Sequence, residues 1–249
     1  MGFRGSIRPR HFQVDALEHA HATFRSDRFK SVVIDNFLEP PLAEGLLACF
    51  EKDGNFEEHH CLKQQVAATT SKTRKTGLTI EQTVSAEDFA AAPDDSRLAR
   101  ELLMRCDPSH NMGSAGWLAH IRFLELLASA EFKSYLAAIT DTTDLRDVTY
   151  MARTMRHGDL CSAHSDAGDG RKLCMLLYVG DGWRSGFGGR FQNVHDGKVA
   201  RSVEPLGNRL ILHRPAPKQI HQVEPISESG RHWRRHTYSV WFGRFPEHD

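Results

Sequence analysis

The 249-residue sequence contains no apolar run approaching the roughly 18 residues of a membrane-spanning helix. It also carries no net charge: 32 basic residues offset 32 acidic ones. Neither a membrane nor nucleic acid is therefore expected as a partner, because no global field favours an anionic surface. Cysteines are few and unclustered, at positions 49, 61, 106, 161 and 174, with no Cys-x-x-Cys pair. An odd, scattered set argues against both a disulfide framework and a zinc site. The opening Met1-Gly2-Phe3-Arg4-Gly5-Ser6 lacks the apolar core of a secretory signal. A cytoplasmic location is the expectation.

Against that plain background, histidine is abundant, with fifteen in all. Two of them stand in informative company. His164 and Asp166 are two residues apart, and His221 follows in Gln219-Ile220-His221-Gln222-Val223. Residues i and i+2 of a strand project from the same face, so a single strand is expected to carry both His164 and Asp166 into one cavity. Two imidazoles and one carboxylate form the ligand set of a non-haem Fe(II) site with open coordination positions. Arg235 opens the stretch Arg235 to Phe242, where a guanidinium can clamp a carboxylate through two hydrogen bonds. A lone His-x-Asp is weak with so many histidines. The downstream His, the Arg and the strand-rich text between them give the pattern its weight.

The period of the sequence changes near residue 145. Before it, helical patterning is read at 12–25, Leu42 to Phe50, Ser96 to Arg105, Ser114 to Ala128 and from about Glu131. In the fourth of these, Trp117, Ile121, Leu124 and Leu127 form an apolar stripe expected in the core. A strand is expected over Phe29 to Phe37. The polar stretch 54–82 reads as a solvated loop or a lid; in His59-His60-Cys61 no partner pair has metal-binding spacing, so the histidines are expected in solvent. After residue 145 come short runs at 147–155, 173–180, 189–194, 198–203, 208–213, 219–224 and 235–244, the spacing of a sandwich or jelly roll. The expected fold is mainly β with buttressing helices. A double-stranded β-helix (jelly-roll, cupin-like) core over 145–245 follows a helix-rich part over 1–144, within one domain spanning 1–249.

Residues 145–245 resemble the catalytic core of the Fe(II)/2-oxoglutarate-dependent dioxygenases, in the prolyl 4-hydroxylase-like branch. The resemblance rests on collinear stretches: Gly158-Asp159, the His-x-Asp, Leu176 to Val179 followed by Trp183, Gly188-Gly189-Arg190-Phe191, Glu204-Pro205, Asn208 to Ile211, His221 to Pro225, and Arg235 to Phe242. It implies that His164, Asp166 and His221 hold Fe(II), and that Arg235 binds the distal carboxylate of 2-oxoglutarate with Tyr178 joining the contact. Dioxygen is the second co-substrate, and succinate and carbon dioxide are released. Retention of Asp166, where related halogenases carry Gly or Ala, implies hydroxylation. The chain departs from many relatives at Met155, where they carry a Tyr. Arg153 and Thr154 are the neighbouring candidates to replace it, on faces the sequence does not assign.

The compact length tilts the expected substrate toward a small molecule, such as an amino acid or other metabolite, free or carrier-bound. Hydroxylation of a protein or peptide residue is the alternative. A metal-free jelly-roll binding protein is the alternative from a different class, since fold alone does not fix function.

Overall fold

The computed structural model describes residues 5–64, 80–105, 113–168 and 170–245. The first half supplies α1 (Val14–Ser26), β1 (Ser31–Ile34), α2 (Pro40–Ala48), β2 (Asn55–Gln64), β3 (Ile80–Thr83), α3 (Ala86–Ala91), β4 (Arg97–Arg105), α4 (Ala115–Ala128) and α5 (Ala130–Thr140). The second half supplies β5 (Asp147–Met155), β6 (Leu160–His164), β7 (Arg171–Tyr178), β8 (Phe191–His195), β9 (Lys198–Val203), β10 (Arg209–His213), β11 (Ile220–Val223) and β12 (Arg235–Gly243).

These twelve strands make one curled sheet in the order β1-β10-β7-β12-β5-β4-β6-β11-β8-β9, with β2 joined to β4 and β3 to β2. The pairings are antiparallel throughout. The broad half, β1 to β5, and the narrow half, β6 to β9, face each other across a cavity, and β4 bridges them. This is the jelly-roll architecture read from the sequence.

Alternation along β12 explains the layering. All nine of its residues are buried, yet they serve two environments. Tyr238, Val240 and Phe242 pack into the main hydrophobic core with Phe123 and Leu127 of α4 and Phe132 and Leu136 of α5. Arg235, Ser239 and Trp241 line the cavity on the other face. The helices thus cover the outside of the broad half. Ser114 and Ser129 start α4 and α5 by accepting hydrogen bonds from the backbone N–H groups of Trp117 and Phe132, caps worth about 1 kcal/mol each. The buried face of α4 carries Trp117, His120, Phe123, Leu126 and Leu127, while Ile121, expected in the stripe, is 38% exposed. The face is rotated because α2 also crosses α4. A Cβ on Gly116 would lie 2.6 Å from the backbone nitrogen of Cys49.

Two stretches of the first half differ from the sequence reading. Residues 97–105, expected as helix, are strand β4. The segment is rich in good helix formers, but it pairs with β2, β5 and β6, and that pairing overrides intrinsic preference. Residues 55–64 and 80–83, expected within a polar loop, are the antiparallel pair β2–β3. The intervening part of the expected lid lies outside the described residues. His60, expected at the surface, is buried, as is Cys61. The two lie on opposite faces of β2: Cys61 lines the cavity, and His60 packs against Phe89 of α3.

Two buried histidines outside the cavity make the fold acid-sensitive. His120 meets the Tyr238 hydroxyl at 2.6 Å and His236 meets the Thr154 hydroxyl at 2.8 Å. Burial holds both imidazoles down to about 4 from an ordinary 6.5, with Arg234 adding to the effect at His236. Folded-state values below the unfolded one mean stability that is complete above pH 6.5 and lost as pH falls toward 4. Denaturant unfolding at pH 7.0 and 4.5 should show a loss of roughly 2–3 kcal/mol per histidine. Replacing His120 by Phe should remove its share of that dependence, and an unchanged pH profile in the variant would contradict the assignment. Separately, Gly116→Ala should cost about 1–3 kcal/mol by overpacking against the Cys49 backbone, read in the same unfolding experiment.

Candidate active site

β6 and β11 bring His164 and His221 directly opposite each other in register, with ring centroids 4.3 Å apart. β6 ends at His164, so Asp166 lies just past the strand and not on it as expected. Ser165 shapes the turn: its hydroxyl donates to Ala216 O at 2.9 Å and accepts from Ala167 N at 3.1 Å. The Asp166 carboxylate thereby sits 3.4 Å from His221 Nε2 and 3.7 Å from His164 Nε2. One donor atom from each of the three lies within 4.8 Å of the others, a spacing suited to three ligands on one face of a metal ion. His164 Nδ1 donates to Ser162 O at 2.7 Å, which leaves the Nε2 lone pair for the metal position.

The electrostatics fit a cation. Burial alone would raise the Asp166 carboxyl, but His221, His164, His213 and Arg171 hold it below the usual carboxylate range. The two facing imidazoles behave oppositely. His164 is pushed up to about 10, burial opposing and Cys161 and Asp166 prevailing. Burial and the charge on His164 hold His221 well below its ordinary value. A divalent ion bound here would compete with protons for these imidazoles.

Arg235, at the start of β12, enters the same cavity and is 2% exposed. Its Nε donates to Gly189 O at 3.0 Å, its Nη2 to the Tyr178 hydroxyl at 3.2 Å, and its Nη1 reaches Met155 Sδ at 3.7 Å. Among the described residues, no carboxylate forms an ion pair with it. A buried guanidinium on neutral partners is costly unless a ligand supplies the anion. Gly189 permits this arrangement: its φ is +75°, and a Cβ there would lie 2.8 Å from the Trp233 ring. Tyr178 is fully buried beneath the guanidinium, with the arginine carbon 5.0 Å from its ring centroid.

The structure brings together all five residues singled out from the sequence: His164, Asp166, His221, Arg235 and Tyr178. It also assigns the faces around Met155. Met155 pairs with Arg235 in register and Arg153 with Thr237. Met151 and Arg153 line the cavity, whereas Thr154 turns outward to His236.

Sequence reasoning left His213 between the active-site mouth and a structural place at a strand end, and it did not point Arg171, Glu101 or His59 at this cavity. Arg171 Nη1 is 3.7 Å and His213 Nε2 3.9 Å from the Asp166 carboxylate. Glu101, 1% exposed on β4, lies 3.4 Å from Arg153 Nη1 and 3.9 Å from His59 Nδ1. Contacts with Cys61 and Glu101 push His59 up to about 9 against the effect of burial. Periodicity placed β4 in a helix, so nothing pointed Glu101 at the cavity. Cys174 also touches this region, but burial pushes its thiol well above its ordinary value, which leaves it a neutral packing residue. Wild-type protein should take up one equivalent of Fe(II) under anaerobic conditions, and His221→Ala or Asp166→Ala should abolish stoichiometric uptake. Undiminished uptake by both variants would exclude this triad as the metal site.

Comparison with known proteins agrees with this geometry. Residues 149–243 match the family described as the 2OG-Fe(II) oxygenase superfamily. Over 130 residues the chain is 25% identical to a prolyl 3-hydroxylase, OGFOD1, of Xenopus laevis, covering 50% of this chain and 25% of that protein. The mouse counterpart is 24% identical, with 49% and 23% covered. The chain therefore spans about a quarter of the length of these curated relatives. Among solved structures, a Pseudomonas putida prolyl-4-hydroxylase superposes with a TM-score of 0.56 at 20% identity, covering 92% of this chain and 98% of that one. A Trichoplax adhaerens prolyl hydroxylase in complex with a hypoxia inducible factor peptide fragment gives 0.55 at 16% identity, covering 93% of each. These findings overturn the small-molecule substrate expected from compact size: proteins of this fold and of closely similar length include a prolyl hydroxylase that holds a peptide, so no added binding domain is required. The region that matches the 2OG-Fe(II) oxygenase superfamily is the one that carries the three-residue donor set and the buried arginine, and the jelly roll that seats it is shared with these solved structures.

Proposed function

We propose that this chain hydroxylates an unactivated C–H bond of a prolyl residue within a peptide or protein, acting as one catalytic unit over its 249 residues. His164, Asp166 and His221 would hold Fe(II), and Arg235 with Tyr178 would hold the distal carboxylate of 2-oxoglutarate. The observation that carries this reading is the joint placement, in one cavity, of the three-residue donor set and a buried guanidinium that lacks a carboxylate partner among the described residues. The prolyl target is supported by the relatives in sequence and fold.

Bound here, iron would bring dioxygen, the oxidant, together with 2-oxoglutarate, which would give up two electrons and leave as succinate and carbon dioxide, one oxygen atom going to succinate and the other to the substrate. The chain's own residues bind and orient. Arg235 fixes one end of the co-substrate, and the facing imidazoles with Asp166 fix the metal, so the reacting groups meet in one geometry. Leu176 and Phe191 line the same cavity and limit water around the reacting centre. Four described cysteines are free and buried, which supports a reducing compartment such as the cytoplasm. Among the described residues no helix is long and apolar enough to cross a membrane.

The test is a panel of proline-containing peptides incubated with protein, Fe(II), 2-oxoglutarate and dioxygen. A turned-over peptide should gain the mass of one oxygen with equimolar succinate, and Asp166→Ala should abolish both. Arg235→Ala should raise the 2-oxoglutarate requirement roughly ten- to hundredfold, as expected for loss of a charge-assisted contact of about 1.5–3 kcal/mol. Succinate release with oxidation confined to non-prolyl residues would reject the prolyl assignment. An unchanged 2-oxoglutarate requirement would remove Arg235 from its role.

A further inference from the structure

The cavity holds a second guanidinium that the metal and co-substrate assignments above do not use. Arg153 projects from β5 on the same face as Met155, whose direct cross-strand partner is Arg235. Arg153 and Arg235 are therefore diagonal neighbours on one sheet face, about 7–8 Å apart at their bases and within reach of one small ligand. Each leans on a thioether: Arg153 Nη2 lies 3.0 Å from Met151 Sδ, and Arg235 Nη1 lies 3.7 Å from Met155 Sδ. A thioether sulfur is a weak acceptor, readily exchanged for a carboxylate oxygen.

Glu101 stands between the two arginines electrostatically. Burial would raise its carboxyl, but Arg153, His59 and Arg235 hold it below the usual range. Its Oε2 accepts no hydrogen bond among the described residues, so it partly neutralises Arg153 without engaging it in a tight fork. With His59 protonated, the cluster of His59, Glu101, Arg153 and Arg235 carries two net positive charges. The distal carboxylate of the co-substrate would offset part of that surplus.

We propose that Arg153 is a second cationic contact for the bound 2-oxoglutarate, and that Glu101 tunes this contact by competing for the same guanidinium. This inference rests on the co-substrate reading given above. It makes the two members of one ion pair act with opposite sign on co-substrate affinity. A purely structural ion pair behaves differently: breaking it from either side leaves a buried unpaired charge and loosens the cavity.

The experiment is an anaerobic titration of 2-oxoglutarate into Fe(II)-loaded protein, following the weak visible charge-transfer band, with thermal melting of every variant run in parallel. Arg153→Gln should weaken binding about tenfold or more, and Arg153→Lys, which keeps the charge, should weaken it less. Glu101→Gln should tighten binding several-fold. Unchanged affinity in Arg153→Gln, or weakening by both Arg153→Gln and Glu101→Gln, would overturn the proposal. If Arg153→Gln does not fold, Arg153→Lys and Glu101→Gln still decide it through their opposite signs. Absence of a 2-oxoglutarate-dependent band in the wild type would overturn the co-substrate reading itself. A wild-type band with indifferent variants overturns only the role of Arg153.

Discussion

The two-faced burial of β12 is the constraint on which the rest of this molecule depends. A nine-residue strand with every residue buried must find partners on both sides. Its even-numbered residues, from Tyr238 to Phe242, are met by aromatic and aliphatic side chains of α4 and α5. Its odd-numbered positions include an arginine and a tryptophan facing a cavity. A slip of one residue in the pairing with β5 or β7 would drive Arg235 into the hydrophobic core and expel Tyr238 from it. The same register that stabilises the helical layer therefore delivers the guanidinium to the site.

Asp166 shows a complementary logic. It is placed by a turn immediately after a strand, and Ser165 fixes that turn through two hydrogen bonds. The rigid part of the candidate donor set is the cross-strand pair His164–His221. The carboxylate is then brought to it from outside the ladder, where Arg171 and His213 approach its oxygens. Imidazoles fixed by strands and a carboxylate steered by charge bring the three candidate donors together.

Much of this was legible in the sequence, for identifiable reasons. The strands at 147–155 and 198–203 were read with their observed bounds, because alternation and glycine-rich punctuation are local signals. The triad and Arg235 were legible because their order and spacing form a pattern. β4 was not: Arg97 to Arg105 is built of helix-favouring residues, and only pairing with β2, β5 and β6 makes it a strand. Glu101 was lost with it. The face occupied by Arg153 was also hidden, since it depends on whether Met155 or Thr154 lies opposite Arg235, a fact of register that no single strand records.

The far edge of the broad half carries a temporal consequence. β1 pairs with β10, setting Ser31 opposite His213 and Ile34 opposite Leu210, and Arg209 reinforces the junction by gripping Asp35 with two hydrogen bonds. Partners so distant along the chain meet only after a very large loop has closed. On a ribosome, β1 emerges long before β10 exists and must wait without its strand partner. Topologies of this kind fold slowly, so the interval before β10 arrives is when the nascent chain is most vulnerable to wrong edge pairing.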